Sequence, residues 1–117
     1  MGDYPEGQGD YPVTGISWYE AAAYAEFAGK SLPTVYHWSK AAGTGSTGFI
    51  APMSNFEGRG LAPVGKFLGL GPFGAYDMAG NAKEWCWNPA GDNRYILGGA
   101  WNEPVYMFTD ADAQPPF

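Results

Sequence analysis

Residues 71–85 read Gly-Pro-Phe-Gly-Ala-Tyr-Asp-Met-Ala-Gly-Asn-Ala-Lys-Glu-Trp, and this stretch combines three glycines with aromatic side chains, an amide and two carboxylates. Glycine permits backbone conformations that a Cβ atom forbids, so we predict a tight, rigid loop that leads into a β-strand. Asp77, Asn81 and Glu84 supply hard oxygen atoms, which are the ligands that Ca²⁺ takes in proteins. The stretch therefore predicts an oxygen-rich pocket that could hold a cation.

The composition around this stretch is that of a single loop-rich domain. A chain of 117 residues that is 45% hydrophobic and 17% aromatic is able to build one core. Its 18 glycines and 10 prolines favour irregular loops around a small sheet over a helical bundle. We assign residues 1–11, where the sequence Gly-Asp-Tyr-Pro begins twice, to an extended N-terminal arm. Residues 12–117 form the core domain.

Charge and cysteine usage exclude several classes of partner. The formal net charge of −6 repels phosphate backbones, so we expect no nucleic-acid partner. No apolar run approaches the length of a membrane span, and no secretory signal opens the chain, so we expect no membrane partner and leave the compartment open. Cys86 is the only cysteine, which excludes an intrachain disulfide and a cysteine-based zinc site.

Two helices are predicted from caps and apolar spacing. Residues 17–29 begin with Ser17 and Glu20 in a capping box, and an apolar stripe follows at helical spacing. Residues 34–42 begin at Thr34 and end before Gly43. The pattern predicts strands over residues 64–67, 82–87 and 95–101, the last with a bulge or close approach at its two glycines, and irregular chain over residues 104–117.

Three further features carry structural rather than chemical interpretations. The two G-x-G-x-x-G matches, at residues 43–48 and 69–74, do not follow a strand and open a helix, so they are read as turn glycines. His37 is the only histidine and cannot form a multi-histidine metal site alone. Strand alternation places Cys86 opposite the tryptophans that flank it, with no base nearby, which favours a small buried hydrophobe over a nucleophile.

Five motifs in order resemble the formylglycine-generating, or sulfatase-modifying-factor, family. Residues 71–85 are similar to the family's F-G-L-Y-D-M-A-G-N-V-W-E-W signature. Four other segments are similar to further family motifs: Pro12-Val13-Thr14-Gly15-Ile16-Ser17-Trp18-Tyr19-Glu20-Ala21, Ala28-Gly29-Lys30-Ser31-Leu32-Pro33-Thr34, Ala62-Pro63-Val64-Gly65-Lys66-Phe67 and Tyr95-Ile96-Leu97-Gly98-Gly99-Ala100-Trp101. The resemblance implies an α+β fold, a variant of the C-type lectin architecture with two helices packed on small antiparallel sheets.

The resemblance also implies a calcium site. In the family, Ca²⁺ is held by positions that match Asp77 and Glu84 through their side chains and Gly80 and Ala82 through their carbonyls. The alternative is that the two carboxylates only accept hydrogen bonds from loop amides. A second family site begins at positions matching Asn55 and Phe56, but the loop that supplies its aspartate is shortened here to residues 57–61, so we do not expect that site.

The catalytic cysteines of the family are not matched. Formylglycine-generating enzymes hold copper with a cysteine pair shortly after the strand matched by residues 95–101, and residues 102–117 contain no cysteine. Copper is therefore not expected, which argues against an enzyme. We interpret the chain as a non-catalytic binding or regulatory module, of the kind also fused to bacterial serine/threonine kinases, with a protein or peptide partner. The alternative is a fragment of an oxidase that converts a substrate cysteine to formylglycine, completed by sequence outside this chain.

A lectin is a weaker third interpretation. Sugar-binding calcium sites of lectins usually carry an E-P-N-like triplet, and Glu103-Pro104-Val105 lacks the asparagine. The family's first and last strands are not recognisable before Pro12 or up to Phe117. We therefore expect open sheet edges and self-association through them.

Overall fold

Two α-helices pack against a small antiparallel sheet in the computed structural model, which describes residues 7–43 and 50–117. Helix α1 spans Trp18–Phe27 and α2 spans Val35–Ala42. The strands are β1, Glu84–Ala90, β2, Asn93–Leu97, and β3, Ala113–Gln114, and they lie in the order β1-β2-β3. This arrangement confirms the predicted α+β class. Most of the predicted N-terminal arm and most of the first glycine match lie outside the described residues.

Both helices begin at the predicted caps, and α2 ends at the predicted Gly43, whereas α1 ends at Phe27, two residues before the predicted Gly29. The Ser17 hydroxyl accepts the N–H of Glu20 at 3.1 Å, and the Glu20 carboxylate accepts the N–H of Ser17 at 3.0 Å, which completes the capping box. Thr34 accepts the N–H of His37 at 3.2 Å and caps α2. Gly43 ends α2 in the left-handed conformation that glycine adopts without strain.

The helices contribute one tryptophan each to the interior. The Trp18 indole of α1 is buried and donates to the carbonyl of Cys86 at 2.7 Å. Trp38 of α2 is 1% exposed and packs in the main core with Phe56, Leu97 and Phe108. The helices are therefore held to the sheet by large apolar surfaces and by hydrogen bonds from both indoles to β1, from Trp18 to the carbonyl of Cys86 and from Trp38 to Glu84.

The strand predictions need three corrections. Residues 64–67 form a turn and not a strand, because the N–H of Lys66 bonds back to the carbonyl of Pro63 and Gly65 has a φ of 75°. Strand β1 begins two residues later and ends three residues later than predicted. Strand β2 covers Asn93–Leu97 and ends before the two glycines, so the predicted bulge at residues 98–99 is wrong; the register shift lies in β1, between Trp85 and Pro89.

The predicted close approach at these glycines is confirmed. A Cβ atom on Gly98 would lie 2.7 Å from the carbonyl oxygen of Met78, and one on Gly99 would lie 2.7 Å from Cε1 of Phe56. Both residues also have positive φ angles, 103° and 72°. Only glycine lets the end of β2 meet the loop at residue 78 and the core ring of Phe56 at once.

Residues 104–117 are more ordered than predicted. A 3₁₀ turn covers Val105–Met107, and β3 pairs antiparallel with β2. The outer edge of β1 is covered by the segment before α2, since the N–H of Trp87 donates to the carbonyl of Pro33 at 2.8 Å. Self-association through open edges stays a prediction. Among the described residues, no helix is long and apolar enough to cross a membrane.

One buried amide, Asn81, joins three distant parts of the chain. Its side chain donates to the carbonyl of Ala62 at 3.0 Å and accepts from the N–H of Ala62 at 2.9 Å and from Nδ2 of Asn55 at 3.0 Å. Its backbone N–H donates to the carbonyl of Asn55 at 2.9 Å, and its carbonyl accepts from Trp101 at 2.9 Å. Asn81 is 1% exposed and left-handed, with a φ of 67°. These bonds fix the loop that precedes β1.

Replacing Asn81 with alanine is expected to lower the free energy of unfolding by about 3 kcal/mol, because the peptide of Ala62 and the amide of Asn55 would lose buried partners. Urea denaturation of the wild-type protein and Asn81→Ala measures this difference. Asn102→Ala, at an exposed asparagine, is the matched control and should change the value by less than about 0.5 kcal/mol. Equal midpoints for Asn81→Ala and wild type would contradict a structural role for the amide.

Candidate functional site

Asp77 and Glu84 face a common cavity between the central loop and the start of β1. The cavity has a volume of about 390 Å³, and Ala82 also lies on its wall. Three of the four predicted calcium-binding residues are therefore brought together. The fourth, Gly80, is not among the residues that line this cavity; it is buried and pairs with Asn55 through an isolated parallel bridge.

Glu84 is a carboxylate in an unfavourable environment. One of its oxygens, Oε2, accepts a hydrogen bond from Nε1 of Trp38 at 2.8 Å. The pKa of Glu84 is raised to about 7: burial is the largest cause, the Trp38 hydrogen bond lowers the pKa, and the charge of Asp77 raises it. In the part of the chain that the structure describes, no cation pairs with this carboxylate.

The nearest cation along the chain is directed elsewhere. Lys83 precedes Glu84, but its ammonium group lies 3.0 Å from a carboxylate oxygen of Glu103 and 3.1 Å from one of Asp112. Burial lowers the pKa of Lys83, but the hydrogen bonds that Lys83 donates to both carboxylates, together with their charges, outweigh it and the pKa is raised. Sequence reasoning missed this cluster, since its members are 20 and 29 residues apart and no local pattern links them.

The loop that carries the site is held in unusual backbone conformations. Asp77 and Asn81 are left-handed without being glycine, with φ angles of 56° and 67°, and Gly80 between them has a φ of 74°. Oδ2 of Asp77 accepts the N–H of Gly65 at 2.8 Å, which ties the loop to the preceding turn. Non-glycine residues in this region persist where surrounding structure holds them, and they cluster at functional sites.

The oxygen atoms around the cavity are of the types that Ca²⁺ takes as ligands. Each carboxylate has one oxygen in a hydrogen bond and one that accepts none from the described residues. Residues 7–43 and 50–117 contain no group of three or more histidine, cysteine or acidic side chains that could hold a metal, so the site would complete its shell with carbonyls. The carbonyls of Gly80 and Ala82 accept no backbone hydrogen bond from the described residues. Mixed carboxylate and carbonyl oxygens are the ligands of Ca²⁺.

Asn81 does not belong to this donor set. Its amide oxygen, which the sequence suggested as a ligand, already accepts two hydrogen bonds from Ala62 and Asn55. Its role is to hold the loop.

The second family site is incomplete among the described residues. Asn55 donates through Nδ2 to Gly60 and Asn81, and its buried Oδ1 has no partner. The shortened loop contributes Arg59, which donates to the carbonyl of Ser54 at 3.3 Å and lies over the ring of Phe67 at 5.7 Å. Its only acid, Glu57, is exposed. The one unpaired amide oxygen of Asn55 has no carboxylate beside it in the shortened loop other than the exposed Glu57, so the second site stays unexpected.

The remaining candidate residues lack the environment that chemistry would require. Cys86 is fully buried, and burial together with the nearby charge of Glu84 raises the pKa of its thiol to about 12. The thiolate, which is the reactive form, is therefore suppressed. His37 is exposed on α2. In the second glycine match, a Cβ atom on Gly69 would lie 2.6 Å from the carbonyl oxygen of Ile50, so this glycine serves close packing.

Comparisons with known proteins agree with the motifs. Residues 3–115 match the profile of the sulfatase-modifying factor enzyme 1-like domain. The serine/threonine-protein kinase pkn1 of Chlamydia caviae is 39% identical over 88 residues, which cover 68% of this chain and 14% of the kinase. The inactive C-alpha-formylglycine-generating enzyme 2 of Mus musculus is 32% identical over 117 residues, covering 79% of this chain and 38% of that protein. The formylglycine-generating enzyme of Thermomonospora curvata is 34% identical over 113 residues, covering 70% and 37%.

The fold is also found among solved structures. Variable protein 1 of Treponema denticola superposes with a TM-score of 0.76 at 20% identity, covering 98% of this chain and 70% of that one. The chain has the predicted C-type lectin-like fold of this group. It spans only 14% to 38% of the length of the three curated relatives above.

Glu84 makes stability depend on pH in calcium-free buffer. The pKa of Glu84 is about 7 in the folded protein, above the ordinary 4.5. Below pH 4.5 the side chain is protonated in both states, so its contribution to the free energy of unfolding is fully present. As the pH rises towards 7, the unfolded chain releases the proton first, and the contribution is lost. Over this pH range, we expect the free energy of unfolding of the wild-type protein to fall by about 3 kcal/mol relative to that of Glu84→Gln.

Urea denaturation at pH 4.5, 6 and 7.5 with a chelator measures this relative loss. Glu26→Gln, at an exposed glutamate of α1, is the control and should follow the wild type. If the free energies of unfolding of wild type and Glu84→Gln differ by the same amount at all three pH values, Glu84 has the same pKa in the folded and unfolded states, which contradicts the prediction.

Proposed function

The chain belongs to the sulfatase-modifying factor enzyme 1-like family, and on that premise we propose that it is a non-catalytic binding or regulatory module whose central loop is held by calcium. The observation that carries the proposal is the state of the sole cysteine. Cys86 is buried, and the pKa of its thiol is raised to about 12, so it is unsuited to bind copper or to react. Its relatives include a protein named as an inactive member and a kinase that contains a matching segment.

The alternative function is part of a formylglycine-generating oxidase. It is favoured by the 34% identity to the enzyme of Thermomonospora curvata, of which the chain spans 37%. The residues that follow Phe117 in the gene distinguish the two proposals. A cysteine pair there would favour the oxidase, because Cu(I) requires soft sulfur ligands.

Calcium would be bound by the side chains of Asp77 and Glu84 and the carbonyls of Gly80 and Ala82. When bound, Ca²⁺ would supply the positive charge that Glu84 and Asp77 lack. Support comes from the cavity that Asp77 and Glu84 share, from the raised pKa of Glu84 and from the free carboxylate oxygen of each residue. The protein residues orient these oxygens through Trp38 and Gly65.

A protein or peptide is the partner that we propose for this module. A neighbouring groove of about 500 Å³ is walled mainly by apolar side chains, among them Ile16, Leu32, Trp85 and Trp101. Apolar walls with a few polar groups are typical of binding clefts. The net charge of −6 argues against nucleic acid as the partner.

Calcium at 100 times its Kd is expected to raise the Tm by about 10 °C over a chelated sample, since a ligand of the folded state alone stabilises it by about 2.7 kcal/mol at that concentration. Differential scanning calorimetry with millimolar Ca²⁺ or a chelator measures the shift. Asp77→Asn and Glu84→Gln should lose it, whereas Asp92→Asn, at an exposed aspartate of the β1–β2 turn, should keep it. Identical melting curves with Ca²⁺ and with chelator would exclude the site.

The chain by itself is expected to form no formylglycine, because a single buried thiol cannot provide a sulfur pair for Cu(I). Incubation with a Cys-x-Pro-x-Arg peptide, copper and a reductant, followed by mass spectrometry, should leave the peptide cysteine unchanged. The enzyme of Thermomonospora curvata serves as the positive control. Aldehyde product that disappears in Cys86→Ala would assign catalysis to Cys86 and contradict the proposal.

A further inference from the structure

Residues 12–16 cross the surface beside the carboxylate pair and are tied down only near their ends. Before the segment, the carbonyl of Asp10 accepts the N–H of Val64 at 2.8 Å. At its end, the carbonyl of Ile16 accepts Nε1 of Trp85 at 3.1 Å. Between these points, no hydrogen bond with another described residue involves residues 12–15, and the Val13 side chain is 63% exposed.

The segment runs between two cavities that both reach Glu84. Pro12 and Val13 line the cavity of about 390 Å³ that contains Asp77 and Glu84. Val13 and the three residues after it line the groove of about 500 Å³, which also reaches Glu84. The segment therefore forms part of the wall of both cavities beside Glu84.

We propose that residues 12–16 form a strap that opens and closes access to the site of Asp77 and Glu84, with the indole of Trp85 as its latch. The inference rests on the proposed calcium site and adds its regulation. Trp85 follows Glu84 directly on β1, so the latch and the ligand belong to one strand. Gly15 has a φ of 69° with open space around it and supplies a position where the backbone can turn.

The latch is weak enough to open thermally. A single neutral hydrogen bond shifts an equilibrium by a factor of about five to ten. Breaking it raises the population of the open strap by that factor. Calcium binding and calcium release both need the open strap, so both rate constants rise together. The Kd stays constant, because the strap supplies no ligand to the ion.

The test measures calcium kinetics on the 117-residue chain. The release rate is followed by stopped-flow mixing with a fluorescent chelator, and the Kd is measured by calorimetry. The ratio of the release rate to the Kd gives the association rate.

Trp85→Phe keeps an aromatic ring and removes the indole N–H, and it should raise both rates about five- to tenfold at unchanged Kd. Trp87→Phe, the same change two residues along β1, is the matched control and should leave both rates unaltered. Val13→Gly removes an exposed side chain from the strap and makes its backbone more flexible, so it should also raise both rates.

The outcomes separate the strap from the calcium site. Faster binding and release at constant Kd in Trp85→Phe and Val13→Gly supports the strap. Calcium binding with wild-type rates in both variants overturns the strap and leaves the site intact. A raised Kd in Trp85→Phe with an unchanged association rate overturns the latch, because Trp85 would then support the ligands. A wild-type protein that binds no calcium overturns the site and the strap together.

Discussion

The structure depends on the reciprocal hydrogen bonds between the side-chain amide of Asn81 and the peptide of Ala62. A carboxamide offers a donor and an acceptor in one plane, which is what a peptide group requires, and neither aspartate nor leucine offers both. The pair holds Asn81 in the left-handed region, at a φ of 67°. The backbone of Asn81 then binds Asn55 on one side and Trp101 on the other. Segments that are distant in sequence are thereby fixed around Asn81. This residue lies between Gly80 and Ala82, four positions after Asp77 and three before Glu84, so the same bonds fix the loop that carries the proposed calcium ligands.

That constraint leads into a carboxylate that has no cation as its partner among the described residues. Strand β1 begins at Glu84, directly after Lys83, and both residues line the cavity. The ammonium group of Lys83 is bound by Glu103 and Asp112, whereas Glu84 accepts a hydrogen bond from Trp38. Although they are adjacent in sequence, this acid and this base therefore have different partners. Folding leaves Glu84 with a raised pKa and the charge of Asp77 near it. Such an arrangement is unfavourable in isolation and becomes favourable with a divalent cation, which is the physical basis of the proposed calcium site.

The sequence predicts those parts of the fold that local chemistry determines. The capping box at Ser17, the cap at Thr34 and the stop at Gly43 each involve residues within a few positions of each other, and all three are confirmed. The strand expected over residues 64–67 is wrong, because a turn closed by Pro63 and Gly65 replaces it. The pairing of β3 with β2 and the Lys83 cluster were missed, since both depend on partners far along the chain. The same limit applies to Asn81. Its type and position suggest an oxygen ligand, but in the structure its amide oxygen accepts hydrogen bonds from Ala62 and Asn55, which are distant in sequence.

Scaffold and redox chemistry are physically separable in this family. The proposed calcium ligands lie within eight residues, 77–84, on a loop that the fold itself holds in place, so the scaffold needs no sulfur. A copper centre needs a thiolate pair, and the environment of Cys86 works against even one thiolate, since burial and the charge of Glu84 both raise the pKa of its thiol. The residue that would bind calcium thus also helps to keep the neighbouring thiol protonated. The fold and the proposed calcium loop therefore make no use of the sole cysteine beyond its packing in the core.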